Sequence, residues 1–372
     1  MVARILLISD EEAVGLLWGA STGGHDVYVT GVLSRNPTVS VNPKCKKFLP
    51  LPEDTSFVAT ESFPELAIGI ADLARSLSVD VIVPTSFESV KFAISERQKL
   101  EEAAMLIPLA TMDIVNLLDD KHSFFKFCVE HGLPHPASCL LSSSDDLNKQ
   151  ELQDLRFPLL TKPIFGAAEG IERFETSDEL RQRVATASAD FFPVLAQEWF
   201  DGEDIDFNGY ALNGVVQVES VMRTTFYRHD NKEVSLTDFV RHPEISSLGN
   251  EIVRKSNYTG PLNIDLRIRR SDNKILLIEV NPRFWGRSMA CLIDGLNFID
   301  AAINLTTNPE WRRESRSDGR MWASSIMPLL RGALRGDRAA RQYLSRLSAT
   351  QIKFQIYMKC LRLWSRFKGR ST

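Results

Sequence analysis

The stretch KILLIEVNPRFWGRS, residues 274–288, changes character halfway along. Ile275 to Ile278 read as a strand packed on both faces. Glu279, Asn281 and Arg283 then follow at two-residue spacing, with Pro282 among them. A carboxylate beside four aliphatic residues is costly to bury unless a cation or a donor meets it. Residues two apart on an extended backbone share a face, so Glu279 and Asn281 offer two oxygens together, a set suited to a hard cation such as Mg2+. Asp265, in NIDLR, adds a third. Asp272 lies seven residues from both Asp265 and Glu279, so a hairpin turning near Asp272–Asn273 sets the two carboxylates opposite each other. Mg2+ is rarely caged by protein alone and usually bridges to substrate phosphates, which makes a nucleotide the implied partner.

Phosphates need cations and backbone amides. Lys121 and Lys162 are the candidate cations, and Lys162 follows the apolar run FPLLT at a strand end. Gly166 to Gly170, GAAEG, allow the backbone to approach an anion with its amides as donors. An adenine needs an apolar slot with a backbone edge, which Trp199 and Phe200 in AQEWF can provide. Asp204, just past Gly202, can accept from a ribose hydroxyl. Arg223 and Arg228 read either as further phosphate or acid contacts or as part of a solvated loop.

The elements that must position these groups fall into two textures. Residues 1–115 alternate strands (Ile5 to Ser9, DVYVTGVL, DVIVPTS, a short one at Leu106 and Ile107) with helices, the βαβ rhythm of a parallel sheet. No GxGxxG follows the first strand, so dinucleotide binding has no support. Beyond residue 116 long antiparallel strands dominate, with Asn213-Gly214 as a tight turn. The expected class is α/β followed by α+β.

At 372 residues two or three packed units are expected. The net charge of −4 is unevenly spread: residues 331–372 hold eleven Lys or Arg and one acid, a local +10, leaving −14 elsewhere. Five cysteines and six histidines show no metal-ligand spacing, which favours reduced thiols in the cytosol. The N-terminal apolar run lacks a cleavage site and reads as a strand, and no stretch is long enough to span a bilayer. No nucleophile-elbow motif supports a Ser-His-Asp hydrolase.

Taken in order, Lys121, KPIFGAAEGI, QEWFDGEDIDF, NIDLR and EVNPRFWG resemble the ATP-grasp superfamily, over about residues 1–310. NPRFWG is similar to the carbamoyl-phosphate-synthase-like branch of carboxylate-amine ligases. The resemblance implies an N-terminal parallel α/β domain (1–115) and a two-lobed ATP-grasp domain (116–310, small lobe about 122–198, large lobe about 199–310). It implies that Lys121 and Lys162 bind ATP phosphates, that Gly166 and Gly170 belong to a phosphate-gripping loop, and that Glu198, Trp199 and Phe200 line the adenine. Asp204 stands where the family has a ribose-binding Glu. Asp265, Glu279 and Asn281 would hold one or two Mg2+ ions, with Mn2+ as a substitute, and Arg283 would steady the acyl phosphate. The implied reaction joins a small-molecule carboxylate to an amine with release of ADP and phosphate. Bicarbonate chemistry through carboxyphosphate shares every motif, and a non-catalytic nucleotide-binding scaffold is a third reading. The expected protein is cytoplasmic, does not engage nucleic acid, and has a homodimer open to it.

Residues 311–372 form a basic helical tail outside the resemblance. There Ile352, Ile356, Tyr357, Cys360, Leu361, Leu363, Trp364 and Phe367 read as one broad face, opposite Lys359, Arg362 and Arg366. Lys353 falls within the apolar side. Packing of that face on the same chain is the favoured reading, and contact with an anionic membrane or an acidic partner is the other.

Overall fold

The computed structural model describes residues 2–11, 13–57, 64–165, 170–229, 232–314 and 320–368. It divides into two compact units, one of Met1–Met112, Phe207–Asn263 and Pro282–Thr372, the other of Asp113–Asp206 and Ile264–Asn281.

The first unit contains a five-stranded sheet of β1 (Arg4–Ser9), β2 (Asp26–Val32), β3 (Cys45–Leu51), β4 (Val81–Pro84) and β5 (Met105–Leu106) in the order β3-β2-β1-β4-β5. Every pairing is parallel, the arrangement expected from the βαβ rhythm. Ile5, Leu6, Leu7 and Ile8 are all fully buried because both faces of β1 are covered. The sequence reading did not include β3, an edge strand whose Lys46, Lys47 and Pro50 are exposed and give it no hydrophobic signature.

The second unit carries a four-stranded antiparallel sheet of β6 (Ser138–Leu141), β7 (Leu159–Pro163), β8 (Glu172–Phe174) and β9 (Val194–Glu198), ordered β6-β9-β7-β8. One of its faces is apolar: Cys139, Leu141, Leu159, Phe174, Val194 and Ala196 pack with Leu180 and Val184 of the helix Ser177–Ala185.

A third, six-stranded sheet consists of β10 (Gly202–Leu212), β11 (Val215–His229), β12 (Lys232–Val240), β13 (Gly260–Arg269), β14 (Ile275–Asn281) and β15 (Met321–Ala323), ordered β14-β13-β10-β11-β12-β15. Its strands contribute to both units. Asn213 and Gly214, both at positive φ (49° and 76°), make the tight turn between β10 and β11. The β13–β14 turn falls where the sequence placed it, with Asn273 at φ 59°.

One expectation needs correction here. Arg223 and Arg228 are not on a loop: β11 continues to His229 and pairs with β12 from Val221–Val240 to His229–Lys232. Residues 311–372 pack on their own chain, the favoured reading of the sequence. They share the first unit with Met1–Met112, because the helix Ala349–Lys368 presses Phe354 and Tyr357 onto Trp18, with ring centroids 5.1 and 4.9 Å away. The single apolar face read from the sequence divides in two: Leu361 is buried, whereas Ile352, Ile356, Leu363 and Trp364 are exposed. The second unit takes in Asp113–Asp206 and Ile264–Asn281, that is, most of β13 and all of β14.

Candidate functional site

The second unit gathers most of the candidate residues. Lys121 opens the helix Lys121–His131, whose N-cap Asp120 accepts from the Ser123 N–H at 2.5 Å. The first amides of a helix have no intrahelical partner, and the Lys121 N–H donates instead to the Ile164 carbonyl at 3.1 Å. That helix buries Lys121, Phe124, Phe127 and Cys128 along one face, so the lysine heads an apolar stripe. It is only 8% exposed, and its Nζ lies 3.5 Å from Glu279 Oε2.

Lys162 stands near the end of β7, 6% exposed. In register, Lys162 pairs with Leu195 and Leu160 with Gln197, so alternation puts Lys162 and Gln197 on the face opposite the apolar core of the sheet. Lys162 Nζ donates to Gln197 Oε1 at 2.7 Å, Gln197 Nε2 donates to Ser138 Oγ at 3.1 Å, and Ser138 Oγ donates to the Pro136 carbonyl at 3.0 Å. The donors run in one direction, which fixes the amide so that its oxygen faces the lysine. Burial pushes the Lys162 ammonium down to about 8, with Glu279 and Asp265 opposing that shift and Lys121 and Arg267 reinforcing it.

Asn281 Nδ2 lies 3.5 Å from Asp265 Oδ2, which places the two side chains together on one face of β13–β14. Glu279 is paired with Lys121. Among the described residues no group of three or more His, Cys, Asp or Glu is arranged to hold a metal. Two carboxylates and an amide oxygen nevertheless fit the donor type of Mg2+, which takes one or two protein carboxylates and completes its shell with water and phosphate.

The remaining candidates are placed less uniformly. Gly170 has φ +81°, and a Cβ there would come 3.1 Å from Pro163 Cγ, so the chain returns tightly to the end of β7. Gly166 lies outside the described residues. Glu198 does not face the lysines: its carboxylate, on the same side as Ala196 and Leu159, accepts from the Arg156 N–H at 2.8 Å. The Trp199 ring is covered by the Arg173 guanidinium at 3.7 Å, and the Trp199 N–H donates to the Pro158 carbonyl at 2.9 Å. Phe200 has Arg269 over its ring at 5.9 Å. Asp204, exposed, pairs with Arg267 at 3.2 Å. The start of β10 can lie this close to β13 because residue 202 is glycine; a Cβ would stand 2.6 Å from the Ile268 carbonyl oxygen. Arg283 belongs to the first unit, where it donates to the Phe284 carbonyl at 3.1 Å.

The sequence motifs do not single out Gln197 or Arg267. Arg267 is within reach of the sequence, because Asp265 and Arg267 alternate with Ile264, Leu266 and Ile268 and so share a face. For Gln197 the needed fact was the β7–β9 register, which the sequence does not display.

No family model matches the chain. The arginine-specific large chain of carbamoyl phosphate synthase from Geobacillus stearothermophilus is 24% identical over 200 residues, 51% of this chain and 19% of that protein. D-aspartate ligase from Enterococcus faecium is 23% identical over 235 residues, 54% of this chain and 52% of the ligase. The chain thus spans about a fifth of the first relative and half of the second. Among solved structures, the biotin carboxylase domain of Hydrogenobacter thermophilus 2-oxoglutarate carboxylase, in complex with MgADP and bicarbonate, superposes with a TM-score of 0.66 at 15% identity, covering 87% of this chain and 74% of that domain. The fold is therefore that of the ATP-grasp enzymes. The sequence relatives are ATP-grasp carboxylate-amine ligases, which this chain resembles over about half of its length.

Proposed function

We propose that the chain is an ATP-dependent ligase that activates a small-molecule carboxylate as an acyl phosphate and joins it to an amine, releasing ADP and phosphate. The observation that carries this reading is the pair of buried lysines, Lys121 and Lys162, facing the Asp265, Glu279 and Asn281 cluster. Two ammonium groups and two carboxylates stand together here, an arrangement that suits a ligand presenting anionic and cationic groups at once. A polyanion carrying a divalent cation does so, and ATP with Mg2+ is such a ligand; D-aspartate ligase and the carbamoyl phosphate synthase chain point the same way.

In this reading Lys121 and Lys162 bind the phosphates, and Gln197 holds the Lys162 ammonium in place. Asp265, Glu279 and Asn281 hold Mg2+, which when bound neutralises charge on the transferring phosphoryl group. The backbone of Glu198, Trp199 and Phe200 flanks the adenine, Arg267 and Asp204 take the sugar side, and Gly166 and Gly170 belong to the loop over the phosphates. Arg283 steadies the acyl phosphate. Arg283→Lys, which replaces a planar fork by a point charge, should slow turnover, and an unchanged rate would remove Arg283 from this role.

The test is an ADP-release screen over pooled amino acids and hydroxy acids, with and without amine acceptors, in the presence of Mg2+. Acid-dependent ADP release that continues to amide product supports the ligase. A second reading, bicarbonate as the acid, is favoured by the carbamoyl phosphate synthase relative and by the bicarbonate in the Hydrogenobacter complex. Release with bicarbonate alone would establish it, and no release with any acid would remove both. A cytoplasmic location belongs to the same proposal. So does a homodimer, the state of the Hydrogenobacter domain, which light scattering would settle.

A further inference from the structure

The terminal helix Ala349–Lys368 has two apolar faces and needs only one of them for its own fold. Inward, Gln351 donates to the Ala323 carbonyl at 2.7 Å, Phe354 meets Trp18, and Leu361 is 4% exposed. Outward, Ile352, Ile356 and Leu363 are 42, 61 and 50% exposed. At 3.6 residues per turn these three fall within about 40° of one another, on the side away from Leu361. Lys353 and Arg362, both exposed, flank the seam, and the exposed Lys359 lies along it. The neighbouring helix Met327–Leu334 adjoins through the Ile326 N–H, which donates to Gln355 Oε1 at 3.0 Å. It adds Met327, Leu330 and Leu334 at i, i+3 and i+7 spacing, with Leu334 88% exposed.

We propose that this surface docks on an anionic lipid bilayer. The choice of occupant follows from charge. Residues 338–372 contain no Asp or Glu, and 331–372 carry a net +10, so a second copy of the chain seated here by the same surface would set like charge against like. An anionic lipid surface offers the opposite charge for Lys353, Lys359 and Arg362, while their alkyl stems lie along the apolar seam. No single helix among the described residues is long and apolar enough to cross a membrane, so the helix lies in the interface instead of spanning it. Lys353, which the sequence placed inside the apolar face, stands beside the seam.

The experiment is sedimentation of the full chain with phosphatidylcholine vesicles and with equal mixtures of phosphatidylcholine and phosphatidylglycerol, at low and high salt. The proposal expects binding to the anionic vesicles only, lost at high salt. Reversing Lys359 and Arg362 together (K359E with R362E) should weaken the apparent partition by about 30-fold or more, since each basic residue at an anionic surface contributes about fivefold. Ile356→Glu with Leu363→Glu should weaken it comparably while leaving the melting temperature unchanged, because both positions are exposed. Equal binding to neutral vesicles, no binding to either, or binding that survives both double variants would overturn the proposal. So would a concentration-dependent dimer that disappears in Leu363→Glu, which would assign the seam to a second copy of the chain.

Discussion

The protein uses positive charge in two opposite ways. In the second unit Lys121 and Lys162 are withdrawn from solvent to 8 and 6% exposure and set against carboxylates. Along the terminal helix Lys353, Lys359 and Arg362 are exposed, with no acid on the same helix. A hydrated ammonium is screened and cheap to keep. A buried one is strongly felt by its neighbours, and its state depends on how they are arranged. The difference separates a charge that acts on a few atoms from a charge that acts as part of a field.

The sharpest way to break the comparison is to remove a buried cation. Lys162→Met should lower ATP turnover by about 1,000-fold, the upper range for deleting one preorganised donor to a developing charge. Glu279→Gln, which deletes a carboxylate without changing volume, should cost about 100-fold and raise the Mg2+ concentration needed for half-maximal rate. A wild-type rate of ADP release in either variant, with substrates present, would remove that residue from the phosphate and metal site.

A smaller effect is expected one step further out. Gln197→Leu leaves Lys162 in place but deprives its ammonium of an acceptor 2.7 Å away. Activity should fall about tenfold in kcat/KM for ATP, and Gln197→Glu should restore part of it by returning an acceptor. A purely structural role would instead show as lost thermal stability with kcat/KM intact.

How far such residues could be read from sequence alone depended on the distance over which they cooperate. The β13–β14 hairpin was legible because Asp265, Asp272, Glu279 and Asn281 lie within seventeen residues and strand alternation fixes their faces. The parallel sheet was legible from its helix–strand rhythm, apart from β3, whose exposed lysines hid it. The Lys162–Gln197 bond joins positions 35 residues apart, and only the β7–β9 register shows that Gln197, not Glu198, shares the face of the lysine. The terminal helix failed for a related reason. Its apolar residues encircle much of the helix, and sequence alone does not say which of them meet Trp18.

The buried lysine also gives a pH signature that the exposed ones lack. Its native value of about 8 lies below the usual 10.5, so between those limits the unfolded chain holds a proton that the native protein has released. Stability therefore rises with pH across that window, and below it this group contributes no further change. Compared with Lys162→Met, the nucleotide-free wild type should gain about 2 kcal/mol between pH 7.5 and 9.5, read as the difference in denaturant unfolding free energies. In the same window kcat/KM for ATP should fall as Lys162 loses its charge, whereas kcat should hold to higher pH because bound phosphates favour the ammonium.

The smallest effect marks the other side of the comparison. K359E with R362E changes the protein's charge by four units, more than any substitution above, yet both residues are solvated. At physiological ionic strength the field of exposed charges decays over about 8 Å, so turnover of ATP in solution should stay within about twofold of wild type. A tenfold loss of turnover in this variant, with the melting temperature unchanged, would mean that the helical surface acts on the site directly. The separation between buried and exposed charge drawn above would then fail.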